Sequence, residues 1–357
     1  MPSIIQSLPG VFLCGLLLSA PALAQSTAEP KTNPAPEPTN IKVQVNEVIV
    51  PVTVTDERGR FVSNLVASDF HIFDEGRPQR ISFFSHNEKQ PVVVGFLLDM
   101  SNNTRSHWKT YQDAIMELVW RLLPGDKQYS GYLISYSNDA ELLVNTTSDS
   151  DKIVSKIRNM KPGGGAALYD AIYMACTTRE LVKGEPYQPR RIIIVVGDGH
   201  DTASTKTLDQ VLELAQRNLV TIYGMSTMAY GFNNESQSVL ERLTHETGGH
   251  VEYPLNTLYK DVSGYLSTPS DEGNYAYKVG TGGYAGEISS NIWKAVTGIA
   301  DEVTTQYILR YTPDVGVETK PRDFRSIRVD VDLPDVKVRA RKGYYPMPVS
   351  ASVPSGQ

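Results

Sequence analysis

The sequence predicts an α/β protein: a doubly wound, mostly parallel six-stranded sheet, with a small β-sandwich formed from the N- and C-terminal flanks. Three observations predict it. Ile192 to Val196 is a run of five apolar residues that breaks into Gly197-Asp198-Gly199, and Val92 to Leu98 is a similar run that breaks into Asp99-Met100-Ser101. Uninterrupted apolar runs of this kind mark strands buried on both faces. From about Pro91 to Glu302, strand patterns alternate with helix patterns, the order expected of βαβ units. The flanking segments instead alternate with period two, as in Val48, Val50, Val52 and Val54, or Ile327, Val329 and Val331.

Composition narrows the class. The 357 residues are 40% hydrophobic and 21% charged, with a spread net charge of −6. That length suits one medium domain plus a smaller one, or two domains. No Lys/Arg run or basic face is present, so nucleic acid is not an expected partner. Residues 1–24 read as a secretory signal peptide. Val11 to Ala20 is an apolar core too short to span a bilayer, and Ala22-Leu23-Ala24 before Gln25 suits cleavage. Met1 to Gly10 holds no Lys or Arg, which departs from the usual pattern. The expectation is export to the periplasm or beyond, with no stable membrane span once the signal is removed. Cys176 is then the single remaining cysteine, so no internal disulfide is expected, and its apolar helical setting predicts a buried, inert thiol.

Taken in order, residues 25–40 are rich in Pro, Ser, Thr and Ala and read as a disordered linker. Residues 41–90 form an N-terminal β segment. Its strands are the valine alternation, Asp69 to Asp74, and Ile81 to Ser85, the last two joined across Glu75-Gly76-Arg77-Pro78. Residues 91–305 form the central domain. Its expected strands are Val92–Leu98, Tyr129–Tyr136, Glu141–Asn145, Arg191–Val196, Leu219–Ser226 and His250–Tyr253. Its expected helices are Trp108–Leu123, Ser150–Asn159, Ala167–Lys183, Thr207–Arg217, Ser236–Glu246 and Ile288–Thr304. Glu141–Asn145 follows Asn138-Asp139 at turn distance and is expected to be an antiparallel edge strand. Ser267 to Gly286 is a Gly/Tyr-rich insertion and reads as a loop, suited to adaptable protein contacts or to plain mobility. Residues 306–346 form a C-terminal β segment expected to pair with 41–90, and 347–357 a disordered tail. Trp108, Trp120 and Trp293 sit at helical positions and are expected to pack.

In an open parallel sheet the strand carboxyl ends meet at one rim, where ligands bind. Asp99, Ser101, Asn103 and Asp198 are thereby expected to face one point. Oxygen-bearing side chains of this kind suit a hard divalent cation, which wants an oxygen shell and keeps some waters.

The central region resembles the von Willebrand factor type A domain, whose metal-ion-dependent adhesion site draws on three loops. The matching residues are Asp99-x-Ser101-x-Asn103, then Gly163-Gly164-Gly165-Ala166-Ala167-Leu168-Tyr169-Asp170, then Gly197-Asp198-Gly199-His200-Asp201. The resemblance implies Mg²⁺, or Ca²⁺ or Mn²⁺, held by Asp99, Ser101, Asn103 and Asp198, and completed by an acidic side chain of a partner protein. Two departures make the site degenerate. Asn103 replaces a Ser and offers a carbonyl oxygen. Ala166 stands where the family has its ligating Thr, and a methyl cannot coordinate. Thr104 and Asp201 are candidates to compensate, and Gly165 and His200 complete the rim. Asp170, in the first turn of a helix, is expected to be structural. The flanks, VTVTDERGRFVSNLVASDFHIFDEGRPQRISFFS before and YILRYTPD with VRARKGYYP after, resemble the VWFA-related acidobacterial domain family. That likeness covers roughly residues 41–346.

Other signals are weak. His245-Glu246 and His250 have the wrong spacing for a zinc protease, and Gly248-Gly249 break the helix such a site needs. Gly163 to Gly165 lack the Gly-Lys-Ser/Thr that grips phosphate, so no nucleotide is expected. The expected function is an exported, non-enzymatic protein-binding module. A metal-assisted hydrolase on the same carboxylates and a metal-independent envelope component are the alternatives.

Overall fold

The apolar runs Val92 to Leu98 and Ile192 to Val196 are buried strands in the middle of one sheet. The computed structural model describes residues 47–86, 91–105, 108–126, 128–178, 189–228, 234–255, 281–313 and 323–346. All lie within one compact unit, Gln44–Gln357. The expected signal peptide, linker and tail, and residues 267–280 of the insertion, lie outside the described residues.

The central sheet holds β5 (Val92–Asp99), β6 (Tyr129–Tyr136), β7 (Ala140–Thr147), β8 (Arg190–Val196), β9 (Val220–Met225) and β10 (Val251–Glu252). Their spatial order is β10-β9-β8-β5-β6-β7. Every neighbouring pair is parallel except β6 with β7, the antiparallel edge. All eight residues of β5 are buried, as the apolar run requires. Each fully buried Val, Leu, Ile or Phe in these strands contributes roughly 1.5–3 kcal/mol.

Because alternate residues of a strand face opposite ways, β5 feeds two cores. Val92, Val94, Phe96 and Leu98 pack with α1 (Trp108–Leu122), α2 (Ser150–Ile157) and α6 (Thr281–Thr305). Val93 and Leu97 pack with α3 (Leu168–Thr177), α4 (Leu208–Arg217) and α5 (Asn234–Thr247). Helix α6 starts earlier than the sequence predicts. Its packed stretch, from Ile288 through Val303, fixes a nucleus, and extension by a further turn adds one backbone bond per residue fixed. Thr281 to Gly286 of the insertion are thus helical rather than loop. Trp108 is buried and donates to Met160 O at 3.1 Å, whereas Trp120 and Trp293 stand more than a third exposed.

The flanks form two four-stranded sheets. One has the order β13-β1-β11-β4, from β1 (Val48–Asp56), β4 (Ile81–Ser85), β11 (Tyr307–Tyr311) and β13 (Val336–Ala340). The other has the order β14-β12-β2-β3, from β2 (Phe70–Asp74), β3 (Arg77–Gln79), β12 (Arg325–Val331) and β14 (Gly343–Tyr344). They share one apolar core that includes Val50, Val52, Ile72, Leu309, Tyr311 and Ile327. The connection after β2 differs from the expected one. Glu75 and Gly76 both have positive φ, 50° and 75°, so the chain reverses in two residues and Arg77–Gln79 pairs back on β2. Ile81–Ser85 then leaves that sheet and pairs with β11 in the other.

Two buried polar clusters fasten these parts. Asp74, fully buried, accepts from Tyr311 and Tyr344 hydroxyls, both at 2.9 Å, and from Arg325 Nε at 2.9 Å. Glu302, near the end of α6, accepts from Thr53 Oγ1 on β1 at 2.9 Å and from Tyr223 OH on β9 at 3.2 Å, and pairs with Arg339 of β13. His250 adds its Nδ1 3.2 Å from Glu302 Oε2 and its Nε2 2.8 Å from Glu252. Glu302 thus bonds both to the sandwich and to the central sheet.

Candidate functional site

Strand β5 ends at Asp99 in the middle of the sheet, with Tyr136 of β6 directly beside it in register. The chain then turns through extended Ser101 into a 3-10 turn, Asn102–Thr104. Asp99 Oδ1 accepts from Ser101 N at 2.7 Å, so the loop closes over its own carboxylate. Strand β8 ends at Val196, paired with Leu98, and Asp198 follows two residues on. Asp198 Oδ1 accepts from His200 N at 2.9 Å, and its Oδ2 accepts from Asn103 Nδ2 at 3.1 Å. Asp99, Ser101 and Asp198 are each at most 3% exposed.

The glycines flanking Asp198 permit this approach. A Cβ on Gly197 would lie 2.4 Å from the Tyr136 hydroxyl and 2.8 Å from Asp99 Cβ. Gly199 has φ +85°, and a Cβ there would lie 2.3 Å from Ser236 O. Neither position accepts a side chain.

The third loop is tied to the first. Gly163 N donates to Met100 O at 2.6 Å, and Asn102 N donates to Gly164 O at 3.1 Å. Gly165 N donates to Asn138 Oδ1 at 2.7 Å, and Ala166 N donates to Thr202 Oγ1 at 3.1 Å. Ala166 is fully buried, with its methyl in the apolar cluster of α3. Asp201 and Asp170 are committed to latches. Asp201 Oδ2 accepts from Tyr169 N at 2.9 Å and Ser204 Oγ at 2.6 Å. Asp170 accepts from Thr205 N and Oγ1 and from Lys206 N. Both bind α3 to the loop after β8. His200 sets its ring Nδ1 3.5 Å from Ser236 Oγ.

Sequence reasoning missed Tyr136, Asn138 and Thr202. Tyr136 is betrayed only by strand register. Thr202 lies four residues past Asp198, outside any motif spacing. Asn138 looks like an ordinary turn residue.

Burial and the neighbouring Asp198 charge push the Asp99 carboxyl up to about 6, against the partial relief of its hydrogen bond from Ser101. The Tyr136 hydroxyl is pushed well above its ordinary range by burial, then by Asp99, Asp198 and Asp201. Asp99 Oδ2, Ser101 Oγ, Thr104 Oγ1 and the Tyr136 hydroxyl are all buried without a hydrogen-bond partner among the described residues. Each such group costs about 1–3 kcal/mol if left bare. Three of them belong to Asp99 and the turn after it, and the fourth to the strand residue paired with Asp99.

In kind, the donors fit an oxygen-seeking divalent cation: two carboxylates and two hydroxyls. In number they fall short. Ala166 brings no oxygen, and Asn103 turns an N–H toward Asp198. Among the described residues no cluster of three His, Cys, Asp or Glu side chains is placed to hold a metal.

The family profile described as the von Willebrand factor type A domain matches residues 94–258, the span that carries all three loops. Over residues 94–258 the chain is similar to the von Willebrand factor type A domain. The matched span ends before α6, and the sandwich lies outside it. Among curated proteins nothing matches the chain. Solved structures similar to it include an aerotolerance-related membrane protein from Bacteroides fragilis, 17% identical over 45% of this chain and 90% of that one, TM-score 0.37. The conserved hypothetical protein BatB from Bacteroides thetaiotaomicron is 16% identical over 58% and 99%, TM-score 0.36. Proximal thread matrix protein 1 from the mussel byssus, described with a zinc-occupied MIDAS motif, is 15% identical over 47% and 43%, TM-score 0.39. Among the described residues, no helix is long and apolar enough to cross a membrane.

Proposed function

We propose that the type A domain is a protein-docking module, acting through the rim formed by the loops after β5 and β8. A divalent cation, Mg²⁺ or in its place Mn²⁺ or Ca²⁺, is held there weakly by Asp99, Ser101 and Asp198. Thr104 contributes a hydroxyl within the same turn. Asn103 joins when its amide turns to present Oδ1. An acidic side chain of the partner completes the shell. When bound, such a cation would offset the negative charge of Asp99 and Asp198 and offer a positive charge to an acidic side chain of the partner.

The observation that carries this reading is the set of unpaired buried oxygens, Asp99 Oδ2, Ser101 Oγ and Thr104 Oγ1, beside two like charges. An arrangement serving only the fold would satisfy those groups internally. Isothermal titration of Mg²⁺, Mn²⁺ and Ca²⁺ into the protein tests it. Binding heat is expected with the natural sequence and none with Asp99→Ala. Absence of heat with all three ions would remove the cation from the reading. One observation favours docking without metal in that event: Asn103 Nδ2 already donates to Asp198 at 3.1 Å and partly neutralises it.

The reading includes export. Residues 1–24 act as a cleaved signal, and the mature chain begins at Gln25. Amino-terminal sequencing of protein recovered from the periplasmic and culture fractions tests this, and an intact Met1 in those fractions would reject cleavage. The likeness of both flanks to the VWFA-related acidobacterial domain family supports treating sandwich and type A domain as one functional unit.

A further inference from the structure

The loop after β5 and the loop before α3 bring cations to the rim that no acidic side chain answers. Met100 to Gln112 holds Arg105 and Lys109 and no Asp or Glu; Lys156 to Ala167 holds Lys156, Arg158 and Lys161 and no Asp or Glu. Lys109 is engaged by Asp113, 2.9 Å away. Arg105, Lys156, Arg158 and Lys161 are exposed and form no ion pair among the described residues. The acids around α2 gather at its other end. Asp149 caps the helix and pairs with Lys152, and Asp151 accepts from Trp120 Nε1 at 3.2 Å. The length of α2, about 12 Å, separates them from Arg158.

Hydrogen bonds tie this stretch to the rim. Met160 O accepts from Trp108 Nε1 at 3.1 Å, and Pro162 O from Arg105 Nη2 at 3.4 Å. The chain after α2 therefore lies along the start of α1. Gly163 N then donates to Met100 O at 2.6 Å, between Asp99 and Ser101. A Cβ on Gly163 would lie 3.9 Å from Arg105 Nη2. The exposed cations thus follow one path of chain, from the end of α2 to the edge of the candidate site.

The dipole of α2 accounts for Lys156 in its last turn and for Arg158 at its C-cap. It accounts for neither Lys161 nor Arg105, which lie outside the helix. Unanswered like charges repel one another, and this chain carries a net charge of −6. A ligand with several negative charges relieves that repulsion. A continuous array of phosphates, in lipid or nucleic acid, would run on past the patch onto a protein that is acidic overall. A short acidic segment ends where the patch ends.

We propose that this path is a docking track for an extended acidic segment of the partner protein. Asp or Glu side chains lie along Lys156, Arg158 and Lys161 and lead to the rim. Arg105, between the track and the site, takes a carboxylate with its forked guanidinium. The proposal rests on the docking role given to the rim above, but it needs no cation there.

Fluorescence anisotropy of a labelled oligoglutamate peptide with the full chain in chelator tests it, with an oligoglutamine peptide as the blank. Oligoglutamate is expected to bind, and more weakly as salt rises. The combined variant Lys156→Glu, Arg158→Glu, Lys161→Glu is expected to weaken binding about tenfold or more, and Arg105→Gln about threefold. Lys337→Glu, on β13 of the sandwich, should change nothing. If the combined variant melts early, Arg105→Gln alone carries the comparison. No binding of oligoglutamate would overturn the proposal, as would undiminished binding by the folded variants. So would tighter binding to phosphatidylserine vesicles or to oligothymidine than to oligoglutamate. Because the assay excludes metal, its failure is distinct from failure of the metal titration, which bears on the rim cation alone.

Discussion

Asn103 Nδ2 donates to Asp198 Oδ2 across 3.1 Å, so the loop after β5 is bonded to the loop after β8 at the point where a cation would sit. An amide N–H and a cation compete for the same carboxylate oxygen. Asn103→Ser removes the donor and supplies a hydroxyl oxygen. Mg²⁺ affinity is expected to tighten several-fold, while the metal-free protein loses about 0.5–1.5 kcal/mol with the hydrogen bond. Titration calorimetry reads the first effect and urea unfolding in chelator the second. Weaker Mg²⁺ binding in the variant would show that Asn103 acts through its own oxygen.

Asp99 places a negative charge where burial and Asp198 both oppose it. Its carboxyl, raised from 3.8 to about 6, holds its proton more tightly folded than unfolded. The penalty for ionising it is therefore absent below pH 3.8, grows between the two values and is complete above about 6. At pH 7.5 in chelator, Asp99→Asn is expected to stabilise the protein by on the order of 1–3 kcal/mol, while ending metal binding. A less stable Asn variant under those conditions would contradict the electrostatic account.

The fold was legible because apolar period and burial agree. Val92–Leu98 and Ile192–Val196 could only be central strands, and the valine alternation of β1 could only face one core. What stayed hidden was non-local. The swap of Ile81–Ser85 into the other sheet depends on a two-residue turn at Glu75-Gly76, and Glu at positive φ gives no advance signal. The early start of α6 adds Gly282 and Gly283, residues of poor helix propensity, to a helix whose packed stretch begins only at Ile288. At the rim, the sequence displayed the residues in the motif but not those brought in from elsewhere. Tyr136 arrives by register with Asp99, and Thr202 by a bond to Ala166.

His250 makes the junction with the sandwich pH-sensitive. Burial pulls its imidazole down, but Glu252 and Glu302 outweigh that and hold it up at about 9. A folded value above the unfolded 6.5 means the stabilisation is complete below pH 6.5 and is lost as pH rises through about 9. Glu302 is shifted the other way, below its ordinary 4.5, so its share is present above that value and lost in acid. Between pH 6.5 and 9.5 the protein is expected to lose on the order of 1–3 kcal/mol, and His250→Gln to flatten that slope. Thermal melts across the range decide it; a slope unchanged in the variant would assign the effect elsewhere.

Asp74 tests whether the sandwich is held by polar as well as apolar contacts. Two tyrosine hydroxyls and Arg325 all converge on it. Asp74→Ala strands those donors and is expected to cost about 3–5 kcal/mol, whereas Tyr311→Phe removes one bond and should cost about 0.5–1.5 kcal/mol. Denaturant unfolding measures both. Near-equal costs would mean the carboxylate is not the hub.

Ala166 isolates the missing ligand. Its backbone is already fixed, the N–H on Thr202 Oγ1 and the carbonyl accepting from Thr202 N at 2.8 Å and Ala203 N at 3.0 Å. Ala166 is itself fully buried, so a larger side chain there has to displace its neighbours to reach the rim. Ala166→Thr adds one hydroxyl to the donor set proposed at Asp99, Ser101 and Asp198. One further oxygen ligand is expected to tighten Mg²⁺ binding about tenfold, roughly 1.4 kcal/mol. The same methyl position lies in the apolar cluster of α3, so the hydroxyl also meets a dry surface and lowers metal-free stability slightly. The two effects separate by measurement: calorimetry with Mg²⁺ for the first, melting in chelator for the second. A variant that melts lower yet binds Mg²⁺ no better would mean that this position points into the core and not at the rim. The alignment of the third loop with the adhesion site would then fail.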